Sequence, residues 1–300
     1  MKLSTSILTS VLAGLTLARE VEVLEPSKRD VSVPDWATGF LGTTYTPFDQ
    51  YKNCRSADQI KEDVGYLSSF EILRLYSNDC NVVQYAAEVF PGKLMVAVND
   101  ISSTDAIRAD LNSIATSIGY AGKQFNDAVH SVIVGNELIY NGWYTAAEVA
   151  NFINEARSIY PDFPGMWTTA ETASSFYGNP DLCGAVDYVG INNHPYFDGQ
   201  TPETAGSYVL GHIEAVAEFC EEHGHNKQTV TLETGWPWAG NADGVAVPSS
   251  ENQVTAIKNI QSAAANDCIL FSAYNELWKT SSVWDVEKNW GFMGNAPSAW

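Results

Sequence analysis

The chain has 300 residues, 45% of them apolar and 12% aromatic, enough for one large domain with a sizeable core. Its formal charge of −20 makes nucleic acid and anionic membranes poor partners and favours a neutral one. With only 17% charged residues and many aromatics, the composition also excludes a disordered chain.

The first residues read as a targeting segment. Lys2 precedes an apolar run from Ile7 to Leu17, with small residues near Ala18, so residues 1–18 are expected to be a secretory signal peptide. An acidic stretch follows, ending at the dibasic pair Lys28-Arg29, so residues 19–29 read as a short propeptide. The mature chain is then expected over residues 30–300, secreted to the extracellular space or cell wall, with no membrane anchor. Five cysteines in a secreted chain allow two disulfides and leave one thiol. Cys54 and Cys80, both in loops after early strands, are the preferred pair, while Cys183, Cys220 and Cys268 compete for the second bond. No Cys-x-x-Cys or His-x-x-x-His spacing suggests a structural metal.

From Gly39 onward, short β-type runs alternate with helix-type stretches. Expected strands are 40–45, 71–76, 94–99, 131–136, 166–170, 188–192, 229–232 and 270–274. Helix starts stand between them. Ser56-x-x-Gln59, Thr145-x-x-Glu148 and Ser250-x-x-Gln253 read as capping boxes. After Thr145, the positions Val149, Ile153 and Ala156 form a stripe suited to packing on a sheet. Eight such units predict a single α/β domain, a (β/α)8 TIM barrel, with a doubly wound open sheet as the alternative. No glycine-rich nucleotide fingerprint follows any strand to support that alternative.

In a barrel, chemistry collects at the C-terminal ends of the strands. The fourth run, Val132-Ile-Val-Gly-Asn-Glu-Leu138, places Glu137 at such an end. The seventh, Thr229-Val-Thr-Leu-Glu-Thr-Gly-Trp-Pro237, does the same for Glu233. Strands four and seven face each other across the barrel mouth, so these carboxyls suit an acid and a nucleophile for glycosidic bond cleavage with retention. Arg74, at the end of strand two beside Tyr76, is placed to keep a nucleophile ionised, and Tyr196 to donate a hydrogen bond to the same carboxylate. Asn136 is placed to bind a sugar hydroxyl. Glu171 and Glu276 also stand at strand ends and compete for one of the two roles. Tyr140, Trp143, Phe197, Trp236, Trp238 and Trp278 cluster near strand ends, where rings could stack on sugar faces or plug the barrel. No serine-centred elbow or calcium loop is present in the sequence.

These segments carry a resemblance. Val134-Gly-Asn-Glu137 and Leu232-Glu-Thr-Gly-Trp-Pro237 resemble the two signature segments of glycoside hydrolase family 17, the β-1,3-glucanase family. Supporting matches are Gly42-Thr-Thr-Tyr-Thr-Pro47, Leu73-Arg-Leu-Tyr76, Asn193-His-Pro-Tyr-Phe197, Phe271-Ser-Ala-Tyr-Asn-Glu-Leu-Trp-Lys279 and Trp290-Gly291. Asn53-Cys-Arg-Ser-Ala-Asp-Gln59 and Ser77-Asn-Asp-Cys80 resemble the fungal cell-wall branch. The resemblance implies Glu137 as acid/base and Glu233 as nucleophile. It also implies Glu276 and Lys279 lining the substrate site, and Asn136, Tyr45 and Tyr196 supporting it. It further implies an enzyme acting on β-glucan, as an endo-glucanase or a glucanosyltransferase; no metal or organic cofactor is expected, and a monomer is the expected state. Two alternatives stand beside this: the same chemistry on a 1,3-1,4 or 1,6 linkage, and a glucan-binding wall protein with vestigial catalysis.

Overall fold

A computed structural model describes residues 32–280 and 283–299. The expected signal peptide and propeptide lie outside the described residues. Eight parallel strands form one closed sheet in sequence order: β1 (Gly42–Tyr45), β2 (Ile72–Leu75), β3 (Lys93–Val98), β4 (Val129–Asn136), β5 (Met166–Thr172), β6 (Val189–Asn192), β7 (Thr229–Thr234) and β8 (Cys268–Leu270). β8 closes the ring on β1 through Gly42↔Ile269 and Thr43↔Leu270. The expected barrel is the observed one, and an open sheet is excluded by that closure.

The near-continuous apolar strands are explained by burial on both faces. Ile72, Met95, Ile133, Ala170, Tyr188, Leu232 and Ile269 form a core inside the ring. The alternate residues, among them Leu73, Val96 and Val134, pack outward into a second and larger core against the helices. Val149, Ile153 and Ala156 are all buried on the helix Ala146–Ile159, as their spacing requires. Two of the expected capping boxes, at Ser56/Gln59 and Thr145/Glu148, are formed reciprocally. The third moves by one residue. Ser249 caps the helix Ser250–Ala264 by accepting from the Asn252 amide. Gln253 is thereby free to turn inward, where its Nε2 donates to the Trp236 carbonyl at 2.9 Å.

The eighth unit departs most from expectation. The regular ladder of β8 ends at Leu270; beyond it Phe271 N still donates to Thr234 O at 2.7 Å and Ala273 N to Thr44 O at 3.2 Å, and the segment also bonds the chain's last stretch. Phe292 N donates to Ser272 O, Met293 N to Ala273 O, and Asn275 N to Gly294 O at 2.7 Å. Among the described residues no α-helix follows β8; a 3-10 turn, Pro297–Ala299, stands there. Buried Asp63 ties that turn down. It accepts from Ser298 N at 3.1 Å, Ser298 Oγ at 2.9 Å and Tyr45 Oη at 3.0 Å, with Arg55 Nε at 3.6 Å.

Disulfides join Cys54 to Cys80 and Cys183 to Cys220, leaving Cys268 as a buried thiol. The first bond ties the loop after β1 to the loop after β2. It closes 26 residues of chain, so the double variant Cys54→Ser/Cys80→Ser is expected to lose about 3–4 kcal/mol of stability. Denaturant titration of oxidised wild type and variant would measure this, and an unchanged midpoint would contradict it.

Candidate active site

The C-terminal mouth of the barrel opens into a cleft of about 840 Å3, within the range of small-ligand sites. Residues from loops after β8, β1 and β2 line one end, including Phe48, Lys52, Asp79 and Trp278. Residues that follow β5 and β6 line the other, including Ser174, Tyr177, Tyr208 and His212. These strand groups lie on opposite sides of a ring of eight, so the cleft crosses the whole mouth. Glu137 and Glu233 both line it.

Each carboxylate follows an irregularity in its strand. On β4, Ile133 pairs with Thr168 but Asn136 pairs with Ala170, so β4 spends one extra residue. Gly135 takes the left-handed φ of +78° within this bulge, and a Cβ there would lie 2.1 Å from Leu138 Cδ1. Glu137 follows with a φ of 54°, its amide donating to Ala170 O at 2.7 Å. On β7, Ile191 pairs with Thr231 but Asn192 pairs with Glu233. Strict alternation from the inward Leu232 would send Glu233 out to the helices; the bulge turns it back toward the cleft.

Glu233 is 7% exposed and fully engaged. Its Oε1 accepts from Arg74 Nη1 at 3.0 Å and from Tyr76 Oη at 2.7 Å, and Oε2 faces His194 Nε2 at 3.2 Å. Burial by itself would raise this carboxyl's pKa. The Arg74 charge, His194 and the Tyr76 hydroxyl outweigh that and hold it at about 2. Tyr76 is pushed the opposite way, well above the ordinary tyrosine range, by burial and by the Glu233 charge. It is a hydrogen-bond donor at any ordinary pH. Arg74 is itself fully buried and also donates to Leu232 O at 2.7 Å and Asn136 Oδ1 at 2.8 Å.

Glu137 sits in a less crowded setting. Asn192 Nδ2 donates to its Oε1 at 2.8 Å and also reaches Asn136 Oδ1 at 3.2 Å. Asn192 Oδ1 in turn lies 3.4 Å from Arg74 Nη1. Arg74, Asn136 and Asn192 thus form one network spanning from the first carboxylate to the second. With Asn136 Oδ1 occupied by Arg74 and Asn192, its Nδ2 is the group left for a ligand.

Of the other expected site residues, Tyr76, Asn136, Tyr140, Phe197, Glu276 and Lys279 line the cleft, with Arg74 beneath it. Glu276 accepts from Thr46 Oγ1 at 2.7 Å and pairs with Lys279 Nζ at 2.6 Å. Burial would lower the Lys279 pKa, but Glu276 more than offsets it and keeps the ammonium charged. Three expectations are corrected. Tyr45 faces outward from β1, where its hydroxyl serves Asp63. Tyr196 is fully buried in the turn Pro195–Asp198, donating to Asn241 O and packed on Trp236 and Trp290, so Tyr76 holds the position against Glu233 expected of it. Trp236 is also fully buried, its indole N–H on Val247 O. Tyr196 and Trp236 belong to the core outside the ring, not to the cleft. Asn192 was missed, although it is the last residue of β6, where the strand-end rule would have found it. Glu171 faces away from the cleft and is no rival to Glu137 or Glu233.

A buried carboxylate held ionised and a second carboxyl lining one cleft at a barrel mouth suit the chemistry of a (β/α)8 glycoside hydrolase. The sequence profile of the BtgE/BtgC glycoside hydrolase domain matches residues 42–291, and the chain belongs to that family, within glycoside hydrolase family 17. The cell surface mannoprotein MP65 of Candida albicans is 35% identical over 262 residues, 86% of this chain and 67% of that protein. The probable family 17 glucosidase SCW4 of Saccharomyces cerevisiae is 34% identical over 268 residues, 88% of this chain and 67% of that protein. The probable beta-glucosidase btgE of Aspergillus flavus is 37% identical over 269 residues. The chain spans about two thirds of the length of the first two and 43% of the last. Among solved structures, the family 17 β-1,3-glucanosyltransferase from Rhizomucor miehei superposes with a TM-score of 0.69 at 20% identity, covering 86% of this chain and 94% of that one. That likeness is one of fold.

Proposed function

We propose that this glycosidase is a retaining enzyme acting within β-1,3-glucan chains, with Glu233 as nucleophile and Glu137 as acid/base. The observation that carries this is the pairing of environments. Glu233 is buried yet kept ionised by Arg74, Tyr76 and His194, whereas Glu137 faces the same cleft with a single neutral amide on its carboxyl among the described residues. A carboxylate of Glu233 attacks the anomeric carbon while Glu137 gives its proton to the departing glycosidic oxygen. The glycosyl–Glu233 ester then forms as the C–O bond to the leaving chain breaks. Glu137, now a carboxylate, removes a proton from an incoming hydroxyl whose oxygen attacks the same carbon and frees Glu233.

The β-1,3 linkage is supported by the structural neighbour from Rhizomucor miehei, a β-1,3-glucanosyltransferase whose active-site mutant was solved with laminaritriose. The incoming hydroxyl belongs to water in hydrolysis and to a second glucan in transfer. Transfer has an observation in its favour: the cleft extends, with aromatic side chains, to both sides of the two carboxyls, leaving room for an acceptor sugar. Product sizing decides it. The mature protein is incubated with one end-labelled β-1,3-gluco-oligosaccharide at several concentrations. Products longer than the substrate mark transfer, and shorter ones alone mark hydrolysis. An inert wild type would refute the linkage assignment.

Trp278, edge-on to Phe48 with ring centroids 5.4 Å apart and under Lys52, forms a sugar platform at the β1/β8 end. Trp278→Ala is expected to raise KM for long oligosaccharides about tenfold, near 1.4 kcal/mol, while KM for the shortest cleaved oligosaccharide changes little. Equal effects on both would contradict the platform. Secretion to the cell surface accords with two disulfides and with the name of the Candida relative. N-terminal sequencing of secreted protein is expected to begin at Asp30.

A further inference from the structure

Glu171 is a buried acid that the proposed chemistry does not use. It lies on β5 next to Ala170, which points into the barrel, so Glu171 points outward, behind the wall that carries Glu137. None of the ion pairs among the described residues includes it. A buried carboxylate without a cation is costly to keep, and burial pushes its pKa above the ordinary range against the pull of its hydrogen bonds.

Its partners give the reason for keeping it. Oε1 accepts from the Ile139 amide at 3.0 Å, and Oε2 from the Tyr140 amide at 3.3 Å and Ser175 Oγ at 3.2 Å. These two amides lie two and three residues beyond Glu137, whose φ of 54° is one that a side chain with a Cβ seldom adopts. The same strand holds Glu137 from the other side, through Ala170 O. The rest of the turn closes on itself: Asn141 donates its amide and its Nδ2 to Glu137 O, and Trp143 N donates to Leu138 O. The brace from β5 is therefore what fixes this turn, and with it the direction of the Glu137 side chain, to the barrel.

We propose that Glu171 is a positioning residue for Glu137, a carboxylate anchor that locks the left-handed turn after β4 so that the acid/base points at the scissile oxygen. This rests on the reading of Glu137 as acid/base. Glutamine at 171 would set an amide N–H2 against one of three donors that all need an acceptor.

The test uses purified Glu171→Gln beside wild type. Amide exchange at Ile139 and Tyr140 is expected to speed up at least about tenfold, while Val132 to Val134 in β4 stay protected. Turnover of a β-1,3-gluco-oligosaccharide is expected to fall about 10²-fold with KM within twofold, the scale of a misplaced catalytic group. On a dinitrophenyl gluco-oligoside with added azide, neither step needs Glu137, because the leaving group departs unprotonated and azide attacks without a base. There the loss is expected to stay within about threefold. Equal losses on both substrates, or unchanged exchange at the two amides, would overturn the proposal. A wild type inert on both substrates would instead refute the glucan reading, and the exchange comparison would still decide the brace. Glu171→Asp, which keeps the charge but withdraws it by one methylene, should show the same pattern if the glutamine variant does not fold.

Discussion

Glu233→Gln is expected to lower turnover of β-1,3-gluco-oligosaccharides toward the order of 10⁶-fold, the scale on which loss of a covalent nucleophile acts. The amide is nearly isosteric and leaves the cleft's shape intact, so binding of the oligosaccharide should survive with a similar dissociation constant. The contrast with Glu137→Gln separates the two roles. Removing an acid/base typically costs about 10²–10⁴-fold, and azide should restore part of that loss on a substrate with a good leaving group. Azide attacks the glycosyl-enzyme without needing a base, but it cannot stand in for Glu233 in the same retaining path. Trapping of a glycosyl–enzyme ester in Glu137→Gln, seen by mass spectrometry, would place the bond on Glu233. An ester on another residue, or wild-type turnover in Glu233→Gln, would sink the assignment. A vestigial glucan-binding protein would show oligosaccharide binding with no turnover in the wild type as well.

The barrel was legible because eight apolar runs recur with helix starts between them, and burial on both faces leaves that signature in each strand. The strand-end rule reached Glu137, Glu233, Arg74 and Tyr76 for the same reason. Which way a side chain turns at a strand end was not legible. Tyr45 and Thr46 are neighbours, yet Tyr45 serves Asp63 behind the sheet while Thr46 bonds Glu276 in the cleft. Alternation counted from Leu232 would even have sent Glu233 the wrong way. The bulges that correct it exist only as a mismatch of register with β6, which no single stretch of sequence records. Tyr196 shows the same limit: Tyr76 and Tyr196 both follow strand ends, and only packing against Trp236 and Trp290 draws Tyr196 into the core. The short eighth strand was not legible either, since residues after Leu270 divide their hydrogen bonds between the neighbouring strands and residues 290–294, far along the chain.

Arg74→Met should reveal how far the site depends on one buried cation. The substitution fills similar apolar volume but leaves Glu233, Asn136 Oδ1 and Leu232 O without their shared donor. Breaking a buried ion pair from one side costs about 3–5 kcal/mol at neutral pH. The difference should depend on pH in a definite direction. Glu233 in the folded wild type is held at about 2, below the value of about 4.3 for an unperturbed glutamate. The folded state therefore binds fewer protons than the unfolded one between these values. The stabilisation is complete above pH about 4.3 and is lost as pH falls toward about 2. Without Arg74 that depression is reduced, so the stability gap between wild type and variant is widest at neutral pH and narrows on acidification. Activity should move in step: the acid limb of kcat/KM shifts to higher pH in Arg74→Met, because the nucleophile protonates earlier. Arg74→Lys keeps a charge but cannot reach three acceptors with one ammonium in the same fork geometry, and should fall between the two. Denaturant midpoints and pH profiles of the three proteins test this together. Acid limbs that coincide would show that the ionisation of Glu233 is set by His194 and Tyr76 instead.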